Sequence, residues 1–312
     1  MDTRHAIASA SGNVRDLESI VQALVQAVEA GEPVLGGCAR LRPLHRSALL
    51  SVDLWRCIED GAGLRAERVH PAPVLTVLLS GASALQEGGR TVIVEAGTAL
   101  LAHADFAYRA AHPFGCGDTG CHVRPSPALL EELELPRAPW TAIALPIRAH
   151  LRFRLAVERV ALSGADGLEL EEACLSLLAA TPAVRVIDTR PATRQRHADL
   201  IDETKALILR RVGDSLSLDE VARAVGLSPF HLARLFRRHT GFSLHGYRTR
   251  IRLLRALDRL EDASGALTDL ALELGFSSHS HFTDAFRKAF GVPPGALARS
   301  DVHRLAAAAG PK

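Results

Sequence analysis

The spacing of apolar positions changes along the chain and predicts different elements in different regions. In residues 14–30 apolar side chains recur about every 3.6 residues, which predicts a helix that ends before Gly31. Between residues 47 and 124 short β-rich runs alternate with glycine-containing turns, which predicts a small sandwich or barrel. We expect strands at 49–58, 64–69, 74–79, 91–94 and 98–101, and helices at 127–133 and 168–180.

A polar segment separates this region from an all-helical one. Residues 189–196 hold three Arg, one Pro and hardly any apolar residue, which favours a linker. From residue 197 on the pattern is helical and contains an internal repeat. Residues 218–228 align with residues 267–277, 49 positions later, with Leu, Ala, Gly and Ser at matching places.

Each copy of the repeat predicts a helix, a tight turn and a second helix. Gly226 and Gly275 stand where the first helix should end. Ser228 should cap the second helix of the first copy, and either Ser277 or Ser278 that of the second copy. This pattern is typical of a helix-turn-helix.

A hairpin of two helices in a bundle would use the same caps, so one copy alone leaves both alternatives open. Two copies favour the helix-turn-helix, since a helix over 244–260 joins them. At ~1.5 Å per residue this helix is about 25 Å long. That length suits two reading helices in major-groove segments about 34 Å apart on one face of DNA.

Residues 200–300 resemble the AraC/XylS-type double helix-turn-helix domain. The stretch Gly226–Gly241 is similar to the first recognition helix of that family, and Gly275–Pro294 is similar to its C-terminal signature. The resemblance implies a bacterial transcription regulator that binds double-stranded DNA. It also implies an N-terminal domain for ligand sensing or dimerisation, and often a contact with RNA polymerase.

The β-rich segment resembles the cupin-type jelly roll that precedes this DNA-binding domain in the family. We therefore expect an α+β multidomain protein, with a β jelly roll and flanking helices followed by an all-α domain. Residues 1–188 are expected to form the cupin-like domain, 189–198 the linker and 199–302 the double helix-turn-helix domain. A small-molecule effector or homodimerisation through residues 1–188 would then control DNA binding.

The resemblance also implies which side chains face DNA. Leu232, Leu235 and Phe236 should form the buried stripe of the first reading helix, with Phe282, Phe286 and Phe290 in the second. The expected DNA-facing residues are Phe230, His231, Ala233, Arg234, Arg237 and Arg238, then His279, Ser280, His281, Thr283, Asp284, Arg287 and Lys288.

These side chains should have different roles. Arg234 can bridge O6 and N7 of a guanine, and Phe230 can press on a thymine methyl. The phosphate candidates are Arg237, Arg238, Arg287, Lys288, Arg248, Arg250 and Arg252, each with a solvated surface position as the alternative. For His231 a structural hydrogen bond is favoured over base reading.

Asp284 departs from the family pattern, which commonly has a basic residue at this position. Its carboxylate would repel phosphate and has no obvious cation partner, although it could accept a hydrogen bond from the N4 amine of cytosine. The second reading helix is therefore expected to be a weaker or differently specific contact.

Charge and composition agree with a nucleic-acid partner. Residues 197–312 carry 17 Lys and Arg against 13 Asp and Glu, whereas residues 1–196 carry 20 against 22.

The chain has 47% hydrophobic residues and a net charge of +2, which excludes disorder over most of its length. No stretch is long enough for a membrane span, and no secretory signal is visible. Five Cys do not indicate a disulfide framework, so a cytoplasmic protein with reduced thiols is expected.

Two enzyme alternatives require residues that the sequence does not supply in the usual motifs. A metal-dependent cupin enzyme needs a His-x-His pair with Glu and a later His, but the two regions offer only His70 and His103. A DNA-repair alkyltransferase needs a nucleophilic Cys in a zinc-bound cluster, which the scattered Cys38, Cys57 and Cys174 do not provide. No catalytic residue, metal or cofactor is therefore expected.

One segment with site chemistry remains open. Residues 112–122 contain His112, Cys116, Asp118, Cys121 and His122. They could bind zinc or form a redox pair, although the spacing of the two Cys fits no strong zinc class. A glycine-rich loop with buried thiols is the favoured interpretation.

Overall fold

The computed structural model describes residues 39–57, 67–87, 90–114, 117–133, 140–163, 167–179, 191–260 and 266–297. The helix predicted at 14–30 lies outside these residues. The strands are β1 (Ala39–Arg46), β2 (Leu50–Cys57), β3 (Arg68–His70), β4 (Val74–Ser80), β5 (Ala82–Glu87), β6 (Arg90–Glu95), β7 (Thr98–Ala102), β8 (Phe106–Ala111), β9 (Asp118–Pro125) and β10 (Trp140–Ala144). The helices are α1 (Pro127–Glu132), α2 (Ile147–Ser163), α3 (Leu168–Ala179), α4 (Pro191–Arg210), α5 (Leu218–Ala224), α6 (Pro229–Thr240), α7 (Leu244–Arg259), α8 (Leu267–Glu273), α9 (His279–Phe290) and α10 (Pro294–Leu297).

The N-terminal part is built from two antiparallel sheets. One has six strands in the order β1-β2-β9-β4-β7-β10, and the other has four in the order β3-β8-β5-β6. The expected combination of a β-rich N-terminal part and a helical C-terminal part is confirmed. The two sheets are compatible with a jelly roll. Strands β1, β5, β8, β9 and β10 were missed by the sequence pattern.

Helices cover one face of the six-stranded sheet. Successive side chains of β9 point to opposite faces of this sheet. Cys121 and Val123 point to the covered face and pack against α1–α3 in one apolar cluster. Asp118 and His122, from the same strand, point to the opposite side and line a cavity between the two sheets. Helices α1 and α3 agree with the prediction, whereas α2 had not been predicted.

Helix α4 occupies most of the segment predicted as a linker. It begins at Pro191, a residue that suits the first turn of a helix because it needs no backbone donor there. The helix packs on β6, where Asp202 accepts a hydrogen bond of 3.1 Å from the Ile93 amide. Whether residues 189–198 act as a linker between separate domains stays a prediction.

The N-terminal and C-terminal parts share an apolar core. Leu151 and Leu155 of α2 belong to the same cluster as Leu254 of α7 and Phe286 of α9. Arg250 of α7 donates hydrogen bonds to the carbonyls of Gly97 (3.0 Å) and Leu145 (2.7 Å). The helical part is therefore fixed to the sandwich by both apolar and polar contacts.

Candidate nucleic-acid interface

The first helix-turn-helix consists of α5 and α6, and side-chain caps define its ends. Ser217 and Glu220 form a reciprocal capping box at the start of α5. Gly226 has φ +69° in the turn, a conformation that costs a residue with a Cβ more than it costs glycine. Ser228 then accepts a hydrogen bond from the His231 amide, and Pro229 occupies the first turn of α6.

The second helix-turn-helix, α8 and α9, has a similar geometry but differs at its start. Ala266 precedes α8 and forms no side-chain cap. Gly275 has φ +80°, and Ser278 accepts a hydrogen bond of 3.1 Å from the His281 amide. Ser278, and not Ser277, is therefore the cap that the sequence had left open.

The predicted buried stripes are confirmed in both reading helices. In α6, Leu232 and Phe236 are completely buried, and Leu235 is nearly so. In α9 the rings of Phe282, Phe286 and Phe290 are buried and contact one another in sequence. Burial of one side of each helix leaves the opposite side free for a partner.

The opposite side of α6 is exposed. Phe230 has 78% of its surface accessible, which is unusual for a large apolar side chain. His231, Arg234, Arg237 and Arg238 are exposed as well, and Ala233 is partly buried. The predicted DNA-facing residues of α6 therefore lie on one accessible side of the helix.

The exposed side of α9 carries both signs of charge. His279, Ser280, His281, Asp284, Arg287 and Lys288 are exposed. Asp284 lies 4.0 Å from Arg287, at the outer limit of an ion pair, so it has a cation nearby that was not predicted from the sequence. The partner was predictable, since the two residues are three positions apart on one helix face.

Two residues of α9 have additional roles. The ring Nδ1 of His281 lies 2.9 Å from the Ser277 hydroxyl, and its ring packs edge-on against Phe276. The structure thus shows at His281, at the matching place in the second copy, the kind of structural hydrogen bond expected for His231; both residues are exposed. Thr283 is partly buried, and its hydroxyl oxygen has no hydrogen-bond partner in the described part of the chain.

The assignment of Arg250 and Arg252 to phosphate contacts was wrong. Both side chains are buried, at 9% and 6% exposure, and both donate to backbone carbonyls. Arg248 also donates to a carbonyl, that of Leu216, at 2.8 Å. Burial removes the first two guanidinium groups from any surface that DNA could reach.

Arg252 instead connects the two helix-turn-helix units. Its guanidinium donates to the carbonyls of Val212 (2.8 Å) and Asp214 (3.0 Å), which precede α5. It also donates to the carbonyl of Gly275 (2.7 Å), in the turn of the second unit. Helix α7 therefore fixes both units through a single side chain. No pattern in the sequence predicts this role.

Among the described residues of the segment 112–122, Cys121 lies apart from the other candidate ligands. Cys116 lies outside the described residues. Cys121 is completely buried on the helix-covered side of β9, whereas Asp118 and His122 line the cavity between the sheets. The expectation of a buried thiol is confirmed for Cys121.

No helix among the described residues is both long enough and apolar enough to cross a membrane.

Comparisons with known proteins match the helical part of the chain. Residues 221–300 fit a family described as a helix-turn-helix domain. The HTH-type transcriptional regulator GlxA of Rhizobium meliloti (strain 1021) is 40% identical over 79 residues, 25% of this chain and 24% of that protein. The transposon Tn10 TetD protein of Escherichia coli is 32% identical over 114 residues, 36% of this chain and 83% of that protein.

The chain thus spans about a quarter of the length of GlxA but most of TetD. Among solved structures, ToxT from Vibrio cholerae is similar over 79% of this chain and 97% of its own, at 10% identity and a TM-score of 0.32.

Proposed function

The chain belongs to the AraC-type family of helix-turn-helix transcriptional regulators, and we propose from this premise that it binds duplex DNA sequence-specifically to regulate transcription. The observation that carries the proposal is the pair of capped reading helices, α6 and α9, each with one buried and one exposed side. In the proposed complex the two helices enter adjacent major-groove segments.

The exposed residues divide into base-reading and phosphate-binding groups. Arg234 lies on the exposed side of α6, where its planar guanidinium can contact O6 and N7 of one guanine. Phe230, exposed one turn earlier, offers an apolar contact to a thymine methyl. The positioning contacts to phosphate come from Arg237, Arg238, Arg287 and Lys288.

The N-terminal part, residues 1–188, is the proposed regulatory domain, with 199–302 as the DNA-binding domain. Its two-sheet sandwich encloses a cavity and contacts α4 and α7, so a change in the sandwich has a physical connection to the reading helices. Control by an effector or by homodimerisation, contact with RNA polymerase and a cytoplasmic location complete the proposal. The metal-dependent cupin enzyme is not supported by the comparisons, since the relatives are named as regulators.

Site selection from a pool of randomised duplexes tests the proposal, with the purified full chain as the bait. We expect one enriched sequence with two short blocks, centred about one helical turn apart. Fluorescence anisotropy measures the affinity for that site. The affinity should fall steeply as the salt concentration rises, because Arg and Lys displace condensed counterions. A random duplex of equal length is the control. Absence of any enriched site, or binding that ignores salt, would overturn the proposal.

Sedimentation of the full chain at micromolar concentration tests homodimerisation separately. We expect a dimer. It should bind a duplex with two copies of the site more tightly than a duplex with one copy, since linkage raises the effective concentration of the second DNA-binding domain. A monomer at this concentration would contradict the dimer while leaving DNA binding intact.

A further inference from the structure

Three side chains with metal-binding atoms meet inside the sandwich. Cys57 is the last residue of β2, and Asp118, the first residue of β9, is its direct neighbour across the strands. His112 follows the end of β8. The Cys57 Sγ lies 3.2 Å from the His112 Nε2, and the His112 Nδ1 lies 3.4 Å from the Asp118 Oδ1.

These groups are removed from solvent and only partly satisfied by hydrogen bonds. Cys57, His112 and Asp118 are each exposed by 2% or less. The His112 Nδ1 and the Asp118 Oδ1 form no hydrogen bond with any described group, despite their proximity. Burial of a polar atom without a hydrogen bond costs about 1–3 kcal/mol, and a cation bound to the His112 Nδ1 and the Asp118 Oδ1 would offset this cost.

We propose that Cys57, His112 and Asp118 form a binding site for a divalent transition metal of the zinc class. Thiolate sulfur, imidazole nitrogen and carboxylate oxygen are the three ligand types that zinc takes from proteins. One ligand atom from each residue lies within 4.8 Å of the other two. The two short distances involve different ring nitrogens of His112, and a metal ion takes only one of them. The ligand atoms must therefore close from within 4.8 Å to the roughly 3.3–3.8 Å that separates ligands around a tetrahedral zinc, a movement of about 1 Å.

A neighbouring side chain already orients one ligand. The Ser83 hydroxyl donates a hydrogen bond of 2.7 Å to the Asp118 Oδ2, which leaves Oδ1 as the oxygen that faces His112. Hydrogen bonds of this kind fix ligating carboxylates in metal sites. Ser83 is itself buried, so the orientation is set by the fold.

The size of the cavity favours an ion over an organic effector at this point. The free space for the centre of a water-sized molecule is about 40 Å³. One water needs about 10–15 Å³ on this measure, so the cavity accommodates a metal ion with one or two waters. A water can therefore complete a fourth ligand position. A drug-sized ligand needs a pocket of several hundred Å³.

The site has a physical connection to the helical part of the chain. Phe114 lies between His112 and Asp118 in sequence, and it packs against an apolar cluster that includes Ile208 and Leu209 of α4. The guanidinium of Arg210 lies 5.8 Å from the centre of the Phe114 ring. Helix α4 in turn contacts the reading helix α6. Metal binding would therefore alter DNA affinity, a consequence that rests on the proposed function, whereas the metal site itself does not.

Metal titration of the full chain, reduced and stripped with a chelator, tests the site without DNA. Zinc should bind at one equivalent per chain, as measured by competition with a chromogenic chelator. Cobalt(II) should produce a thiolate-to-metal charge-transfer absorption. Cys57→Ser should abolish this absorption and weaken zinc binding by roughly 100-fold or more. Cys174→Ser is the matched control, because Cys174 is an equally buried thiol on α3, outside the cluster.

Two further variants keep the test independent of folding defects. Asp118→Asn and His112→Gln preserve side-chain volume, and circular dichroism reports whether they fold. Zinc should raise the Tm of the parent chain and of Cys174→Ser but not of these variants, since only a folded site binds the ion. Substoichiometric zinc in the parent chain, or equal binding by the parent and the folded Cys57→Ser, would overturn the metal site. A DNA affinity that ignores zinc would overturn only the connection to α4.

Discussion

The Tyr247 hydroxyl donates a hydrogen bond of 2.8 Å to the Glu95 carboxylate, which joins α7 of the helical part to the end of β6. Both residues are buried, at 2% and 4% exposure. The Lys205 ammonium lies 3.4 Å from the other oxygen of Glu95. Burial and the adjacent Glu95 raise the pKa of Tyr247 well above its usual value, so the phenol keeps its proton at neutral pH. A buried hydrogen bond therefore contributes to the contact between the two parts.

Tyr247→Phe should destabilise the folded chain by about 1–3 kcal/mol, because the carboxylate loses one donor and stays buried. Urea denaturation of the full chain measures the change. Glu95→Gln is the matched variant, since it keeps an acceptor for the phenol but removes the charge, and it should leave that hydrogen bond in place. An unchanged midpoint in Tyr247→Phe would show that this bond does not stabilise the interface.

Arg252→Met should destabilise the chain by at least about 2 kcal/mol and weaken binding to the full DNA site. The variant keeps the aliphatic length but leaves three backbone carbonyls without their donor. Loss of the connection should reduce cooperation between the two half-sites more than binding to either half-site alone.

Arg248→Met is the matched control for this change, since Arg248 donates to the carbonyl of Leu216 and does not reach the second unit in the described structure. Because Arg248 is also a phosphate candidate, the two variants are compared by the ratio of full-site to half-site binding. Denaturation and anisotropy on full and half-sites measure both variants. Equal behaviour of the two variants would show that Arg252 does not connect the units.

The helical repeat could be predicted because its signals are local. Ser228 caps α6 through the amide of His231, three residues away, and Gly226 provides the positive φ of the turn. Such effects depend on neighbours in sequence, and a sequence displays them directly. The buried stripe follows from the same helical periodicity.

Strands and buried polar contacts depend on partners that are distant in sequence. Strand β9 contains Asp118, Gly120 and Pro125, residues with low strand propensity, and forms because β2 and β4 pair with it on both sides. The proximity of Cys57 to Asp118 is set by that register. The hydrogen-bond partners of Arg252 are likewise determined by tertiary contacts. The sequence shows only a basic helix, and this pattern led to the wrong prediction of a phosphate contact.

Acid should destabilise the chain partly through His150. Burial lowers its pKa to about 3, with Arg154 and Arg250 as further causes, against about 6.5 in an unfolded chain. The unfolded state then binds more protons below pH 6.5, so stability is complete above that pH and falls as the pH decreases towards 3. When the pH falls from 6.5 to 5, the free energy of unfolding should decrease by about 2 kcal/mol less in His150→Gln than in the parent chain. Urea denaturation at several pH values measures the two slopes, and parallel slopes would contradict the assignment.

Arg234→Ala should weaken binding to the selected DNA site by about 1–3 kcal/mol and relax the preference at one base pair. Repeating the site selection with the variant measures the relaxed position. Arg223→Ala is the control, since Arg223 is exposed on α5 and the change removes the same charge. If Arg234→Ala weakened binding equally for all sequences, Arg234 would be a phosphate contact instead of a base contact.

The Asp284 carboxylate stands on the exposed side of α9 beside Arg287. In a major groove it would repel nearby phosphates and hold Arg287 away from them. Asp284→Arg should therefore raise the affinity for random and selected duplexes alike. It should also steepen the plot of log affinity against log salt concentration by about one unit of slope. Anisotropy at several salt concentrations measures both quantities.

Asp284→Ala separates repulsion from base reading. If repulsion dominates, removal of the carboxylate frees Arg287 and strengthens binding to both duplexes. If the carboxylate instead accepts from a cytosine amine, the variant should weaken the selected site by about 1–3 kcal/mol and leave random DNA nearly unchanged. We expect the first outcome, since repulsion requires no particular base. If neither variant changes binding, α9 does not dock on DNA, and the two-groove arrangement is wrong.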